Sequence, residues 1–167
     1  ADPWAHVREA VRNSEADALV ARGRELGLAL AAVDPPPRQA PPWVRVLPVG
    51  ARDSRPRSRA RVVDLSALWA GPLCADLLRR AGAEVIKVES TRRPDGARRG
   101  PASFYHLLNA GKRSVALDFQ SELGRQALRE LIASADIVIE ASRPRALKQL
   151  GIDAERCLRE RPGTTWI

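Results

Sequence analysis

Basic side chains crowd three short stretches of this sequence, where their type and spacing suit the binding of phosphate groups. Arginine and lysine hold phosphate through charge-assisted hydrogen bonds. The chain has 167 residues and a formal net charge of +8, which favours an anionic partner such as a nucleotide, a phosphate or a nucleic acid without choosing among them. A run of charge can equally be a solvated surface. The clustered cations are Arg92, Arg93, Arg98, Arg99, Lys112, Arg113, Arg143 and Arg145.

The other reactive residue types form no catalytic or metal-binding pattern. Asp64, Asp118 and Asp136 come at the ends of predicted strands, where a carboxylate usually caps a turn. The histidines are interpreted as packing or surface residues and the cysteines as reduced thiols on helices. These four residues are His6, His106, Cys74 and Cys157. The sequence therefore predicts neither a catalytic residue nor a metal ligand.

Apolar runs and helical patterns alternate from residue 61 onward, and they position the cations. Gly71 and Pro72 open a helix directly after the first apolar run, and Gly82 closes it just before the second. Strands joined by one helix and short turns are parallel, so the pattern predicts an α/β fold with a doubly wound, Rossmann-like sheet. Ligands of such sheets bind at the carboxyl ends of the strands. The predicted strands are 62–65, 84–89, 114–118, 136–140 and the start of a fifth at 164–167.

Three parts are expected along the chain. Residues 1–34 are predicted to form a small extension of two helices and a short strand at Leu28–Val33, and residues 35–60 a linker rich in proline and arginine. Residues 61–167 form the expected Rossmann-like domain. No apolar run approaches the roughly 20 residues that a membrane span needs, and no signal-peptide pattern opens the chain, so a cytoplasmic protein is predicted.

Several ordered sequence blocks within this pattern resemble the family III CoA-transferases, the group that includes formyl-CoA transferase, carnitine CoA-transferase and α-methylacyl-CoA racemase. The blocks keep the family's order and spacing over about a hundred residues, which is a far more specific signal than one short motif. They are residues 64–66, 70–72, 82–89, 108–118, 135–140, 143–144 and 150–152.

The resemblance implies a coenzyme A site on this part of the fold. Some positions depart from the family, which often has arginine at Ser90, Asn-Phe at Ala141-Ser142 and a basic residue near Gln149. Because arginines stand at neighbouring positions, we expect CoA binding to be preserved. The implied CoA-binding residues are Trp69, Ala70, Ser90, Arg92, Leu108, Asn109, Lys112, Arg113, Ser142, Arg143 and Gln149.

The resemblance also implies a reaction, in which CoA moves between an acyl-CoA and a carboxylic acid through an anhydride on an aspartate. In the family that aspartate lies beyond the position of Ile167, so this chain is interpreted as a truncated, N-terminal CoA-binding part that is inactive alone. Its implied partners are the rest of the polypeptide and, in the complete protein, a second subunit in an interlocked homodimer.

Alternative functions remain open at this point. The complete protein could be an acyl-CoA racemase of the same family. A different dinucleotide-binding enzyme is disfavoured because Ser66–Gly71 offers one glycine instead of Gly-x-Gly-x-x-Gly. A basic nucleic-acid-binding module is disfavoured because aromatic residues make up 4% of the chain and no stacking motif is present.

Overall fold

The computed structural model describes residues 2–33, 42, 44–51, 53, 58–143 and 145–167. It divides into two compact units, Ala1–Val46 and Leu47–Ile167. Much of the predicted linker, residues 35–60, lies outside the described residues, as does Pro144 of the Arg143-Pro144 block.

The first unit contains two helices, α1 (Pro3–Arg12) and α2 (Ala16–Glu25). Asp2 caps α1 by accepting a hydrogen bond from the Trp4 N–H at 3.0 Å. The predicted strand at Leu28–Val33 is wrong, because this segment is not a strand and pairs with no strand among the described residues. Leu30 instead packs back against α2, where a Cβ on Gly23 would stand 2.8 Å from its Cδ2 atom.

The second unit is built on a sheet of five parallel strands in the order β3-β2-β1-β4-β5. The predicted α/β fold is therefore confirmed. Each boundary differs from the sequence prediction by no more than a residue or two, which is usual where strand ends fray. The strands are β1 (Arg61–Asp64), β2 (Glu84–Ser90), β3 (Arg113–Leu117), β4 (Ile137–Ile139) and β5 (Thr165–Trp166).

Helices join consecutive strands and cover the sheet. Ser121 and Asp153 cap two of them by accepting backbone N–H groups, from Gly124 and Arg156. Gly82 and Gly111 follow two others with φ values of +102° and +81°, the left-handed conformation that ends a helix. The helices are α3 (Ala70–Arg80), α4 (Ala102–Asn109), α5 (Glu122–Ser134), α6 (Ala146–Gln149) and α7 (Ala154–Glu160), with a 3-10 turn at Gly96–Arg99.

Alternate residues of the central strands pack into two separate cores, one on each face of the sheet. Val63 and Val138 face α5 through Leu128 and Ile132. Val62, Val85 and Ile139 face α3 through Ala75. Burial on both faces explains why the central strands read as continuous apolar runs.

The described residues hold neither a membrane-spanning helix nor a metal-binding cluster. None of the helices is long and apolar enough to cross a membrane. No cluster of three or more histidine, cysteine, aspartate or glutamate side chains in this part of the chain is arranged to hold a metal ion.

Candidate functional site

The turn between β1 and α3, residues 65–69, lies at the carboxyl edge of the sheet. Asp64 ends β1 fully buried and accepts hydrogen bonds from the Ser66 N–H, at 3.1 Å, and from the Ser66 hydroxyl. Ser66 in turn packs against Gly71, where a Cβ would lie 2.2 Å from the Ser66 Cβ atom. The Asp-x-Ser and Ala-Gly-Pro blocks are therefore two halves of one packed turn, which needs glycine at position 71.

Lys112 forms hydrogen bonds to the residues on either side of this turn. Its Nζ atom donates to Asp64 Oδ2 at 3.0 Å, to the Pro72 carbonyl at 2.9 Å and to Asn109 Oδ1 at 3.0 Å. The side chain is 1% exposed. Burial lowers the pKa of the Lys112 ammonium, and the nearby Asp64 carboxylate opposes that shift. All three ammonium protons are used inside the protein, so the geometry argues against the direct phosphate contact that the sequence predicted for Lys112.

A second buried lysine contacts the turn directly at Ser66 and, through Asp95, supports Leu68. Lys87, in β2, donates to the Ser66 carbonyl and pairs with Asp95 Oδ2 at 3.0 Å. Asp95 Oδ1 accepts the Leu68 N–H at 2.9 Å, where the Leu68 backbone has a φ of +70°. That left-handed conformation is uncommon for a residue with a branched side chain. Burial raises the Asp95 pKa, but hydrogen bonds from Ala97, Leu68 and Lys87 outweigh burial and leave the pKa below its ordinary value.

The arginine-rich loop after β2 is built around Glu89. The Glu89 carboxylate accepts from the Asp95 N–H at 2.8 Å, from the Arg98 guanidinium at 2.6 Å and from the Tyr105 hydroxyl at 3.2 Å. Arg98 also lies over the Tyr105 ring, 4.1 Å from its centre. The Arg98 hydrogen bonds hold the Glu89 pKa below its usual value, and burial raises the Tyr105 pKa to about 12. The loop is therefore tied to the sheet, and one of its arginines is already paired.

The remaining basic residues divide into paired and unpaired groups. Arg92 forms a two-point ion pair with Asp118, which follows β3, at 3.1 and 3.2 Å. Among the residues that the structure describes, no hydrogen bond or ion pair engages four arginine side chains in the loops after β2 and β4. These are Arg93, Arg99, Arg143 and Arg145.

The loop after β4 is open compared with the β1–α3 turn. Ser142 is exposed and its hydroxyl donates to Glu140, whose other carboxylate oxygen accepts from the Trp166 indole N–H at 3.0 Å. Arg143 is exposed, and so is Gln149 at the end of α6.

The structure brings most of the predicted site residues to one edge of the sheet, but not all of them. The first group, at the carboxyl edge, is Trp69, Ala70, Ser90, Arg92, Ser142 and Arg143. Leu108 and Asn109 are buried at the end of α4 beside Lys112. Arg113 instead points to the amino edge, where its Nη1 atom pairs with Glu84, the first residue of β2, at 2.6 Å. This geometry argues against a contact between Arg113 and a ligand at the carboxyl edge.

Sequence reasoning missed the buried charges beneath the turn, namely Lys87, Glu89 and Asp95. A signal was present: Lys87 and Glu89 interrupt an apolar strand, and a charge in a buried strand needs a partner. The position of that partner follows only from the fold.

The strand order and the carboxyl-edge turn place the chain in the class of Rossmann-like α/β proteins. The pattern of one family within that class, CoA-transferase family III, matches residues 58–164, and the chain belongs to this family.

Named relatives agree with that match. The chain is 33% identical over 123 residues to a succinyl-CoA–D-citramalate CoA-transferase of Chloroflexus aurantiacus, covering 70% of this chain and 31% of the relative. It is 36% identical over 113 residues to a succinate–glutarate CoA-transferase of Agrobacterium fabrum, covering 60% and 28%.

Solved structures are also similar. The chain superposes with a TM-score of 0.60 and 34% identity on Rv3272 from Mycobacterium tuberculosis, covering 68% of this chain and 33% of that one. A CAIB/BAIF family protein from Brucella suis gives 0.58 and 33%, covering 71% and 32%. The chain spans about a quarter to a third of the length of these relatives.

Proposed function

We propose that this chain is the coenzyme A-binding part of a family III CoA-transferase and that CoA lies along the carboxyl edge of its sheet. The observation that carries the proposal is a β1–α3 turn, held by Lys112, that lies between two loops whose arginines have no side-chain partner among the described residues, in a chain that belongs to this family.

The chemistry of this edge fits the parts of CoA. The ligand carries a 3′-phosphate and a diphosphate, which need cations, and an adenine and a pantetheine arm, which need apolar surface. Arg93 and Arg99 flank one side of the edge and Arg143 and Arg145 follow β4. At the turn, Leu68 and Trp69 are 57% and 65% exposed. These two apolar groups would pack against the adenine or the arm.

Backbone donors at the start of α3 add to this fit. Ala70 and Gly71 open the helix, and no oxygen of a described residue accepts from their N–H groups. The first N–H groups of a helix favour an anion. In this proposal Ser90, Ser142 and Gln149 line the same edge as polar contacts.

For the reaction, we propose acyl transfer between an acyl-CoA and a carboxylic acid, with a nucleophilic carboxylate supplied from outside this chain. The strand-end carboxylates here are already engaged, Asp64 by Lys112, Asp118 by Arg92 and Asp136 by the Arg61 N–H. A carboxylate bound in this way is a poor nucleophile because its charge is stabilised in the ground state. An assay of this chain with acyl-CoA donors and carboxylate acceptors should therefore give no product above buffer.

Titration calorimetry with CoA, NAD and a duplex DNA oligonucleotide tests the proposal. We expect saturable binding of CoA, with weaker or no binding of NAD and DNA, because only CoA carries a 3′-phosphate together with a pantetheine arm. Binding of NAD as tight as that of CoA would indicate a general dinucleotide site. Binding of DNA alone would indicate a nucleic-acid module.

Arginine variants locate the site within the same experiment. Replacing Arg93 or Arg143 by Gln should each weaken CoA binding by about 1–3 kcal/mol, the range for a charge-assisted contact. Arg129→Gln is the matched control, because Arg129 is on α5 and pairs there with Glu122. Equal losses in all three variants would show that only net charge matters.

A further inference from the structure

The β1–α3 turn is held by hydrogen bonds from within the protein. Leu68 is held in a left-handed conformation by one hydrogen bond to Asp95, and Ser66 is buried against Gly71. A leucine rarely adopts this left-handed backbone conformation unless other contacts stabilise it. Some other part of the molecule must therefore stabilise it.

Two buried lysines provide that support from opposite sides. Lys112 connects three elements, since its Nζ atom bonds to the end of β1, the first turn of α3 and the end of α4. Lys87 connects Ser66 to Asp95, and Asp95 holds Leu68. Both lysine side chains are 1% exposed. Neither ammonium group is open to a ligand at the edge, whereas Trp69, the last residue of the turn, is exposed.

We propose that Lys112 is a positioning residue that fixes the β1–α3 turn in its binding shape before CoA arrives, through its buried ion pair with Asp64 and together with the Lys87–Asp95 pair. This inference rests on the proposed CoA site but differs from a phosphate contact in its mechanism. A phosphate contact would act on the ligand's charge. The ion pair acts on the protein's backbone, whether or not a ligand is present.

The variant Lys112→Arg separates these two mechanisms. Arginine keeps the charge and is a good phosphate ligand, so it should rescue a direct contact. Its larger planar group cannot make the same three bonds in the space between Asp64, Pro72 and Asn109, so it should not rescue a positioning role. We expect Lys112→Arg and Lys112→Met to weaken CoA binding by a similar factor, roughly ten- to hundredfold. In both variants the turn loses the hydrogen bonds that position it, and misplaced binding groups typically cost that much.

The salt dependence of binding gives a second readout. Removing a contact with a phosphate of CoA lowers the slope of log affinity against log salt, because one charge pair that salt screens is lost, whereas removing a support leaves the slope unchanged. We expect the wild-type slope in both Lys112 variants. Arg129→Met is the charge-matched control, and the core variant Ile132→Val is the control for general loss of stability. Both should bind CoA as the wild type does.

Amide hydrogen exchange of the ligand-free protein completes the test. The Ser66 and Leu68 N–H groups donate to Asp64 and Asp95, and both should exchange faster in Lys112→Met than in Ile132→Val. If Lys112→Met does not fold, Asp64→Asn breaks the same ion pair more mildly, and the Leu68 N–H, whose acceptor is Asp95, should then exchange faster than in Ile132→Val.

The outcomes are distinguishable. Wild-type affinity in Lys112→Arg, or a reduced salt slope with unchanged exchange in Lys112→Met, would overturn the inference in favour of a phosphate contact. Failure of the wild-type protein to bind CoA would overturn the proposed function, and the exchange of Ser66 and Leu68 would then decide alone whether Lys112 fixes the turn.

Discussion

The two halves of the sheet edge are built differently. Beneath the β1–α3 turn, charged groups are buried in fixed pairs, such as Lys87–Asp95 with both side chains 1% exposed. After β4, the comparable lysine–aspartate pair, Lys148–Asp153, is 69% and 40% exposed with a separation of 3.4 Å. The difference indicates that one half of the edge is shaped in advance and the other is free to adjust to a ligand.

The largest expected difference between the halves comes from removing one lysine of each pair. Lys87→Met leaves Asp95 buried without its cation, which should lower the free energy of unfolding by about 3–5 kcal/mol. Lys148→Met should cost less than about 1 kcal/mol, because solvent screens an exposed pair. Urea unfolding of both variants measures the contrast. Similar losses would mean that burial does not separate the two pairs.

A smaller difference in stability is expected between alanine variants of one glycine in each half. A Cβ at Gly71 would meet the Ser66 Cβ at 2.2 Å, and because that atom is attached to the backbone, Gly71→Ala should cost about 3 kcal/mol. At Gly151 a Cβ would meet nothing within 4 Å, and only the φ of +75° opposes it. Gly151→Ala should therefore cost about 1 kcal/mol.

Urea unfolding midpoints of the two alanine variants give this comparison directly. A smaller loss for Gly71→Ala than for Gly151→Ala would show that the turn yields easily, contrary to a shape fixed in advance.

The smallest expected effect concerns acid stability. The Glu89 pKa lies below its ordinary value of 4.5, so its ion pair with Arg98 stabilises the fold fully above that value. As pH falls through the lowered pKa, the unfolded state binds more protons and this stabilisation is lost. Glu89→Gln removes the titrating group, so its unfolding free energy should approach that of the wild type as the pH falls from 5 toward 3.

The half-buried Asp153 is the counterpart in the other half, since hydrogen bonding from the Arg156 N–H also lowers its pKa. The difference in melting temperature between the wild type and Asp153→Asn should change less from about pH 7 to pH 3 than the difference between the wild type and Glu89→Gln, because solvent screens the Asp153 charge. A larger change for Asp153→Asn than for Glu89→Gln would show that the two halves do not differ in acid stability as expected.

The sheet could be predicted from the sequence because each central strand is an apolar run, and Gly82 and Gly111 mark the ends of helices. The segment Leu28–Val33 has the same apolar character, but no strand of the described residues lies beside it. The sequence shows the composition of a segment without showing its neighbours in the fold. For the same reason the strand prediction there was wrong.

The candidate site was only partly predictable. The sequence shows that Lys112 and Arg113 are adjacent and basic, but not that one side chain turns inward to Asp64 while the other turns to Glu84 at the opposite edge. Those directions depend on the register of β3 against β2 and on the position of α3. Both are properties of the assembled fold.

Amide hydrogen exchange measured with and without saturating CoA shows which half of the edge has its shape before CoA binds. We expect the Ser66 and Leu68 amides to be protected already in the ligand-free protein, and CoA to add protection mainly to residues 141–143 after β4. Equal, rapid exchange at both places before CoA is added, or no added protection at either place afterwards, would contradict this expectation.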